Sequence, residues 1–291
     1  VDAGLPQIAE GKRMVLLTSH RRENHGDGLA HICDAVTELV AGGPAANAAV
    51  AAAAILGSAT LVTGLGASAA ARTCRDDLES HGVRIIDLVP HQNREFVLPV
   101  SSCVVEADGT RTVFSTSALT SRLHLNDAAR QALSHARALM LDGHHPVAAG
   151  LALAQVADTD CLLVLDAGSV KPTAESWLSW LDVVIGSADY ARGLGVDLAG
   201  AVEHVLTKGA TAAVMTDGAA DVLWRDPCGG GRLTPPKVTA VDTLGAGDAF
   251  HGALMAALVS NGGDLGRAVQ AACEVASQRV QHVGARGWLG A

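Results

Sequence analysis

Asp248 closes the string Asp242-Thr243-Leu244-Gly245-Ala246-Gly247-Asp248 and stands at the head of an apolar run, residues 249–259. The run has the length and composition of a helix, and Asn261-Gly262-Gly263 supplies a stop. Residues 238–241, just upstream, read as a short strand. A helix that opens at these glycines leaves first-turn N–H groups without intrahelical acceptors, at the positive end of the helix dipole. Glycine lets the backbone come close to a bound anion. A carboxylate beside such an anion site is placed to take a proton from a hydroxyl. The chemistry this allows is general-base catalysis beside an anion held by backbone amides; the alternative is a glycine-rich turn capped by an aspartate.

The string continues through Phe250, Gly252 and Ala253. As a whole it resembles the C-terminal signature of the ribokinase-like sugar kinases, also called PfkB carbohydrate kinases. The resemblance runs over about residues 42–291. It implies ATP-dependent phosphorylation of a sugar or sugar-like hydroxyl, with Asp248 as base and the backbone of Gly245, Ala246 and Gly247 on the transferring phosphoryl group. It also implies Mg²⁺ on the phosphates and allows a monovalent cation such as K⁺ near Asp242 and Thr243. Thr216-Asp217-Gly218 matches the start of the family's T-x-G-x-x-G nucleotide loop, so ATP is expected near Thr216 and Gly218. Gly42-Gly43-Pro44-Ala45-Ala46-Asn47 resembles the N-terminal Gly-Gly signature and assigns Gly42, Gly43 and Asn47 to the sugar. An asparagine amide both donates to and accepts from hydroxyls. Two departures concern the nucleotide side. Gly186-Ser187-Ala188-Asp189 stands where many members carry N-x-x-E, and Asp221 replaces the last glycine of the nucleotide loop.

The elements that must position these residues repeat as strand, loop, helix. Strands are expected at residues 138–142, 162–165, 183–185 and 212–215, each ending in polar or glycine residues. Such alternation implies a parallel sheet with ligands outside the carboxyl ends of its strands. The expected fold is therefore α/β, a ribokinase-like three-layer α/β/α sandwich with a mostly parallel central sheet. A hairpin over residues 96–105 and 111–115 belongs, by the resemblance, to a small β lid, here reduced or altered. His144-His145 reads as loop residues near the sugar pocket, since no third metal ligand accompanies the pair.

The head of the chain, residues 1–41, is atypical for that family. Residues 14–18 read as a strand that replaces the first strand of the sheet, followed by a charged loop and a helix at residues 29–40. The string Thr18-Ser19-His20-Arg21-Arg22-Glu23-Asn24, with Ile32-Cys33 behind it, resembles a segment of the non-hydrolysing UDP-N-acetylglucosamine 2-epimerases over roughly residues 11–39. One strand, one loop and one helix cannot complete an epimerase site, so the segment is expected to act as scaffold. The organisation is then an epimerase-like segment, 1–41, and a kinase domain, 42–291.

Gly64-Leu65-Gly66-Ala67-Ser68-Ala69 follows a strand-like run and precedes a helix, with Asp87 about twenty residues on. On paper this is a dinucleotide fingerprint, and it makes an NAD-linked dehydrogenase one alternative. A second alternative is a sugar- or nucleotide-binding relic, catalytically impaired by the altered head. The chain has no G-x-x-x-x-G-K-[ST] and so is not a Walker-type ATPase.

With 291 residues the chain can bury a sizeable core, and with aromatics at only 3% that core must be built from Ala, Val and Leu. A net charge of −9 argues against a nucleic-acid surface. The six cysteines are widely spaced with no C-x-x-C pair, which argues against zinc and fits small buried hydrophobes in a reducing cytoplasm. No membrane span or signal peptide is expected. The expected partner is a small-molecule sugar, and the resemblance allows a homodimer.

Overall fold

The computed structural model describes residues 13–15, 40–91, 93, 96–99, 101–105, 111–115 and 122–290. Its centre is a six-stranded sheet in the order β11-β10-β9-β8-β7-β6. Four of these strands are parallel: β6 (Ala138–Leu141), β7 (Leu162–Ala167), β8 (Val183–Ser187) and β9 (Ala212–Thr216). A hairpin of β10 (Val222–Asp226) and β11 (Gly229–Leu233) adds an antiparallel edge. The sequence reading did not anticipate that hairpin. Its second strand begins Gly229-Gly230-Gly231, which carries no β-propensity of its own.

The register explains the apolar runs. Val164, Val183 and Ala212 pair across three strands and belong to one core. Their neighbours Leu165, Val184 and Ala213 also pair and belong to the core on the opposite face. Successive side chains leave opposite faces, and both faces are covered, so these strands are apolar throughout instead of alternating. One face is covered by α3 (Asp127–Leu133), α4 (Pro146–Val156), α6 (Ala188–Leu194) and α7 (Leu198–Thr207), with the short α5 (Pro172–Glu175) beside them. The other is covered by α8 (Ala246–Ser260) and α9 (Leu265–Arg279). This is the three-layer sandwich expected.

A second unit packs against the first. Here β2 (Ala59–Thr63) and β3 (Val83–Asp87) form a parallel pair, flanked by α1 (Pro44–Leu56) and α2 (Ala69–Ser80). Helix α1 has Pro44 at its start and Gly57 at its end, where φ is 83° and the Gly57 N–H caps Ala53 O. Among the described residues no strand joins β2 to β6, so the parallel strands form two sheets. A third sheet is antiparallel: β4 (Ser101–Val105) pairs with β5 (Arg111–Ser115) and with β1 (Arg13–Val15).

Two expectations are corrected. The strand placed at residues 14–18 is not in the main sheet; Arg13–Val15 pairs with β4, with Met14 opposite Val104. Residues 238–241 form no strand; Val241 N–H instead donates to Val280 O at the end of α9, 2.7 Å away. The charged loop at residues 19–28 and the helix expected behind it lie outside the described residues, as does the hairpin tip at 106–110.

Candidate functional site

Gly245 caps α8 with φ 75°, the left-handed region that favours glycine, and puts Asp248 in the first helical turn. The turn is held from behind by Asp242. Its carboxylate accepts from Leu244 N (2.8 Å) and Gly284 N (3.0 Å) and lies 3.4 Å from the Arg279 guanidinium. Arg279 is 1% exposed and also donates to the carbonyls of Asp242, Leu244 and His282. A charged pair taken out of water this fully is stabilised by the oxygens that meet both arms of the guanidinium. The turn is thus pre-formed. Ala246 N–H donates to Thr243 O inside the turn at 3.3 Å, so Gly245 and Gly247 are its better placed anion donors.

Asn47 comes to this turn from another element. A Cβ on Gly252 would sit 2.1 Å from Ala48 O, so α8 and α1 touch backbone to backbone there. That approach brings Asn47 Nδ2 to 2.7 Å from Asp248 Oδ2. The sequence assigned Asn47 to the sugar; in the structure its amide reaches the carboxylate. Gly43 (φ 102°) begins α1 beside it. At the carboxyl end of β6, Asp142 accepts from Ala45 N (3.4 Å) and His144 N (2.9 Å). His145 follows with φ 47° at the start of α4, and burial, partly offset by the Asp142 carboxylate, lowers its pKa from the usual 6.5. Gly43, Asn47, His144, His145, Ser101 and Asp248 all border one cavity of about 1230 Å³, which continues between β2 and β6. The residues that the sequence expectation gave to the sugar, Gly42, Gly43 and Asn47, therefore border the same cavity as Asp248.

Below Asp248, three residues along the same helix, His251 is buried at 4% exposure. Its Nδ1 is 2.9 Å from Asp166 Oδ2 at the end of β7, and Asp166 is equally buried. The angles fall outside hydrogen-bond geometry, and among the described residues His251 Nε2 has no partner, so the contact is an ion pair more than a directed bond. Burial works against the imidazolium, but the Asp166 carboxylate, with a further contribution from Asp248, outweighs it and raises the His251 pKa. Sequence reasoning assigned no role to His251 or Asp166.

The nucleotide-side residues lie at the ends of the next strands. Thr216 ends β9 and its hydroxyl donates to Gly186 O at 3.3 Å; Gly218 follows with φ 55°. Asp221 accepts from Thr234 (2.6 Å) and pairs with Arg232 (3.3 Å). Ser187 caps α6 and donates to Gly168 O. Asp189 faces solvent and pairs with Arg192, both side chains about 70% exposed. Among the described residues no group of three His, Cys, Asp or Glu could hold a metal ion. The carboxylate expected to face a monovalent cation, Asp242, faces a guanidinium.

The dinucleotide fingerprint is answered by its own acid. Asp87 accepts from Leu65 N and Gly66 N, both at 3.0 Å, and from Val89 N. The turn amides that would hold a pyrophosphate are spent on Asp87. The ring of Phe96 also lies over the turn, 3.1 Å from where a Cβ on Gly64 or Gly66 would be.

The family described as "pfkB family carbohydrate kinase" matches residues 23–289. Among solved structures, ribokinase from Thermotoga maritima superposes with a TM-score of 0.70 at 23% identity, covering 86% of this chain and 84% of that one. Ribokinase from Arabidopsis thaliana, complexed with ribose and ATP, gives 0.71 at 20% identity, covering 86% and 84%. Aminoimidazole riboside kinase from Salmonella enterica, complexed with aminoimidazole riboside and an ATP analog, gives 0.70 at 19%, covering 85% and 88%. Among the described residues no helix is long and apolar enough to cross a membrane. This chain belongs to the pfkB family of carbohydrate kinases.

Proposed function

We propose that the chain transfers the γ-phosphoryl group of ATP to a hydroxyl of a sugar or sugar-containing small molecule. The observation that carries this is the Asp248 carboxylate in the first turn of α8, beside Gly245 and Gly247, bordering the large cavity. The acceptor lies in the part of the cavity bounded by Gly42, Gly43 and Asn47, and ATP lies across the strand ends at Thr216 and Gly218. Asp248 takes the hydroxyl proton as the oxygen attacks the γ-phosphorus. The bond to the bridging oxygen breaks and ADP leaves. The amides of the 245–247 turn meet the charge on the transferring group. Most of the rate gain in such chemistry is positioning and charge stabilisation. Among the described residues no group of three His, Cys, Asp or Glu makes a metal cage, so Mg²⁺ belongs to this reading only as the companion of the ATP phosphates. The kinase unit is residues 42–291 in this reading, with 1–41 as scaffold. Ribokinase and aminoimidazole riboside kinase were solved with ATP or an analog, which supports ATP as donor.

The test is a kinase screen over ketoses, pentoses, sulfosugars and nucleosides, run beside Asp248→Asn. Asparagine keeps the shape but accepts no proton, so turnover should fall by roughly 10²–10⁴-fold while calorimetry shows ATP binding intact. Near wild-type turnover in the variant removes Asp248 from the mechanism. ATP binding with no acceptor phosphorylated by the wild type favours the relic.

A further inference from the structure

Arg286 lies in the C-terminal segment after α9, 38 residues beyond Asp248, and no motif marks it. Its side chain is 9% exposed. Nη1 donates to Asn47 Oδ1 at 2.9 Å, and Nη2 donates to Asp77 Oδ2 at 2.9 Å and to Ala41 O at 2.8 Å. Asp77, on α2, also accepts from Ala41 N at 2.9 Å. Asn47 then donates through Nδ2 to Asp248 Oδ2 at 2.7 Å. The order is Asp77, Arg286, Asn47, Asp248, each within hydrogen-bond distance of the next.

The chemistry of the groups gives this relay a direction. A guanidinium has donors only, and a carboxylate accepts only. An asparagine between them must turn its oxygen to Arg286 and its NH₂ to Asp248. Arg286 therefore fixes which way the Asn47 amide faces, and polarises the N–H that holds the carboxylate. Asp77 in turn holds the guanidinium fork, so three segments distant in sequence converge on one carboxylate oxygen. We infer that Arg286 is a positioning residue for phosphoryl transfer, which orients the Asp248 carboxylate through the Asn47 amide. The inference rests on the reading of Asp248 as the base.

Arg286→Lys is the informative change, because lysine keeps a charge for Asp77 but has no second arm for Asn47. Turnover at saturation should drop about tenfold, with KM for ATP and sugar within about twofold, because a near-attack geometry is loosened and no substrate contact is removed. Arg286→Ala should drop further and lose stability; Arg286→Lys should recover most of that stability but only part of the rate. The decisive arm is a cycle with Asn47→Ser, which leaves Arg286 on Asp77. In that background Arg286→Lys should change turnover by less than about twofold, since a residue that acts through another has nothing left to orient. ATP-binding stoichiometry of one per chain in every variant excludes a loss of folded enzyme. Losses that multiply in full in the double variant would overturn the inference, as would an unchanged rate with lowered melting temperature in Arg286→Lys. Should the wild type phosphorylate nothing, the kinase reading fails and a crystal structure of Arg286→Lys decides this point alone. Displacement of Asn47 from Asp248 supports the relay, and an intact 2.7 Å contact refutes it.

Discussion

Asp248 stood out in the sequence only because the whole string from Asp242 to Ala253 resembles a family signature; a carboxylate after two glycines at a helix start is by itself an ordinary capped turn. His251 did not stand out, because a histidine inside an apolar helix carries no mark of what faces it across 85 residues. The groups that face it are Asp166 from β7 and Asp248 from its own helix. Its folded pKa is raised, so its contribution to stability is complete below the unfolded value of about 6.5 and is lost as pH rises through the folded value. Wild-type protein should lose urea resistance as pH is taken from about 6 to about 9, beyond what His251→Gln loses over the same range. Glutamine cannot titrate, so its curve lacks that component and starts lower at the acid end. Equal slopes for the two proteins would mean that His251 does not change its charge on unfolding in this range.

At the scale of elements, the helices around the site were readable from their end signals and the contact between them was not. Pro44 and Gly57 bracket α1, and Gly245 and Asn261 bracket α8, close to where the sequence put both. What aligns them is Gly252, whose only sequence trace is its place in the signature. An added methyl there meets Ala48 O at 2.1 Å, a backbone atom that cannot rotate away. Gly252→Ala must therefore part the two helices. Overpacking of this kind destabilises by on the order of 1–3 kcal/mol, read as a lower urea midpoint. Because Asn47 sits one residue from the contact, the same change should lower turnover more than the loss of stability explains. A variant as stable and active as wild type would show that the helices have slack. The β10–β11 hairpin escaped the sequence reading for the opposite reason: three consecutive glycines carry no strand signal of their own, and they are held by pairing with β10, where the Trp224 ring lies beside Gly231.

For the molecule as a whole, the alternation of strands and helices was enough to give the layers, but not how the parallel strands divide. The sequence placed residues 14–18 in the main sheet on the strength of an apolar run, and strand-like composition does not name a partner. Among the described residues β2 pairs only with β3, β6 pairs only with β7, and the cavity lies between the two unpaired edges. By contrast β7, β8 and β9 each have a hydrogen-bonded neighbour on both sides and a core on both faces. Amide exchange should reveal this division. Opening β8 means breaking two ladders and two apolar layers at once, which approaches global unfolding; opening β2 breaks one ladder. Peptides over residues 162–167, 183–187 and 212–216 should exchange slowest, and those over 59–63 and 138–141 faster by at least about tenfold. If β2 and β6 prove as protected as β8, a strand bridges them in solution and the parallel strands form one continuous sheet.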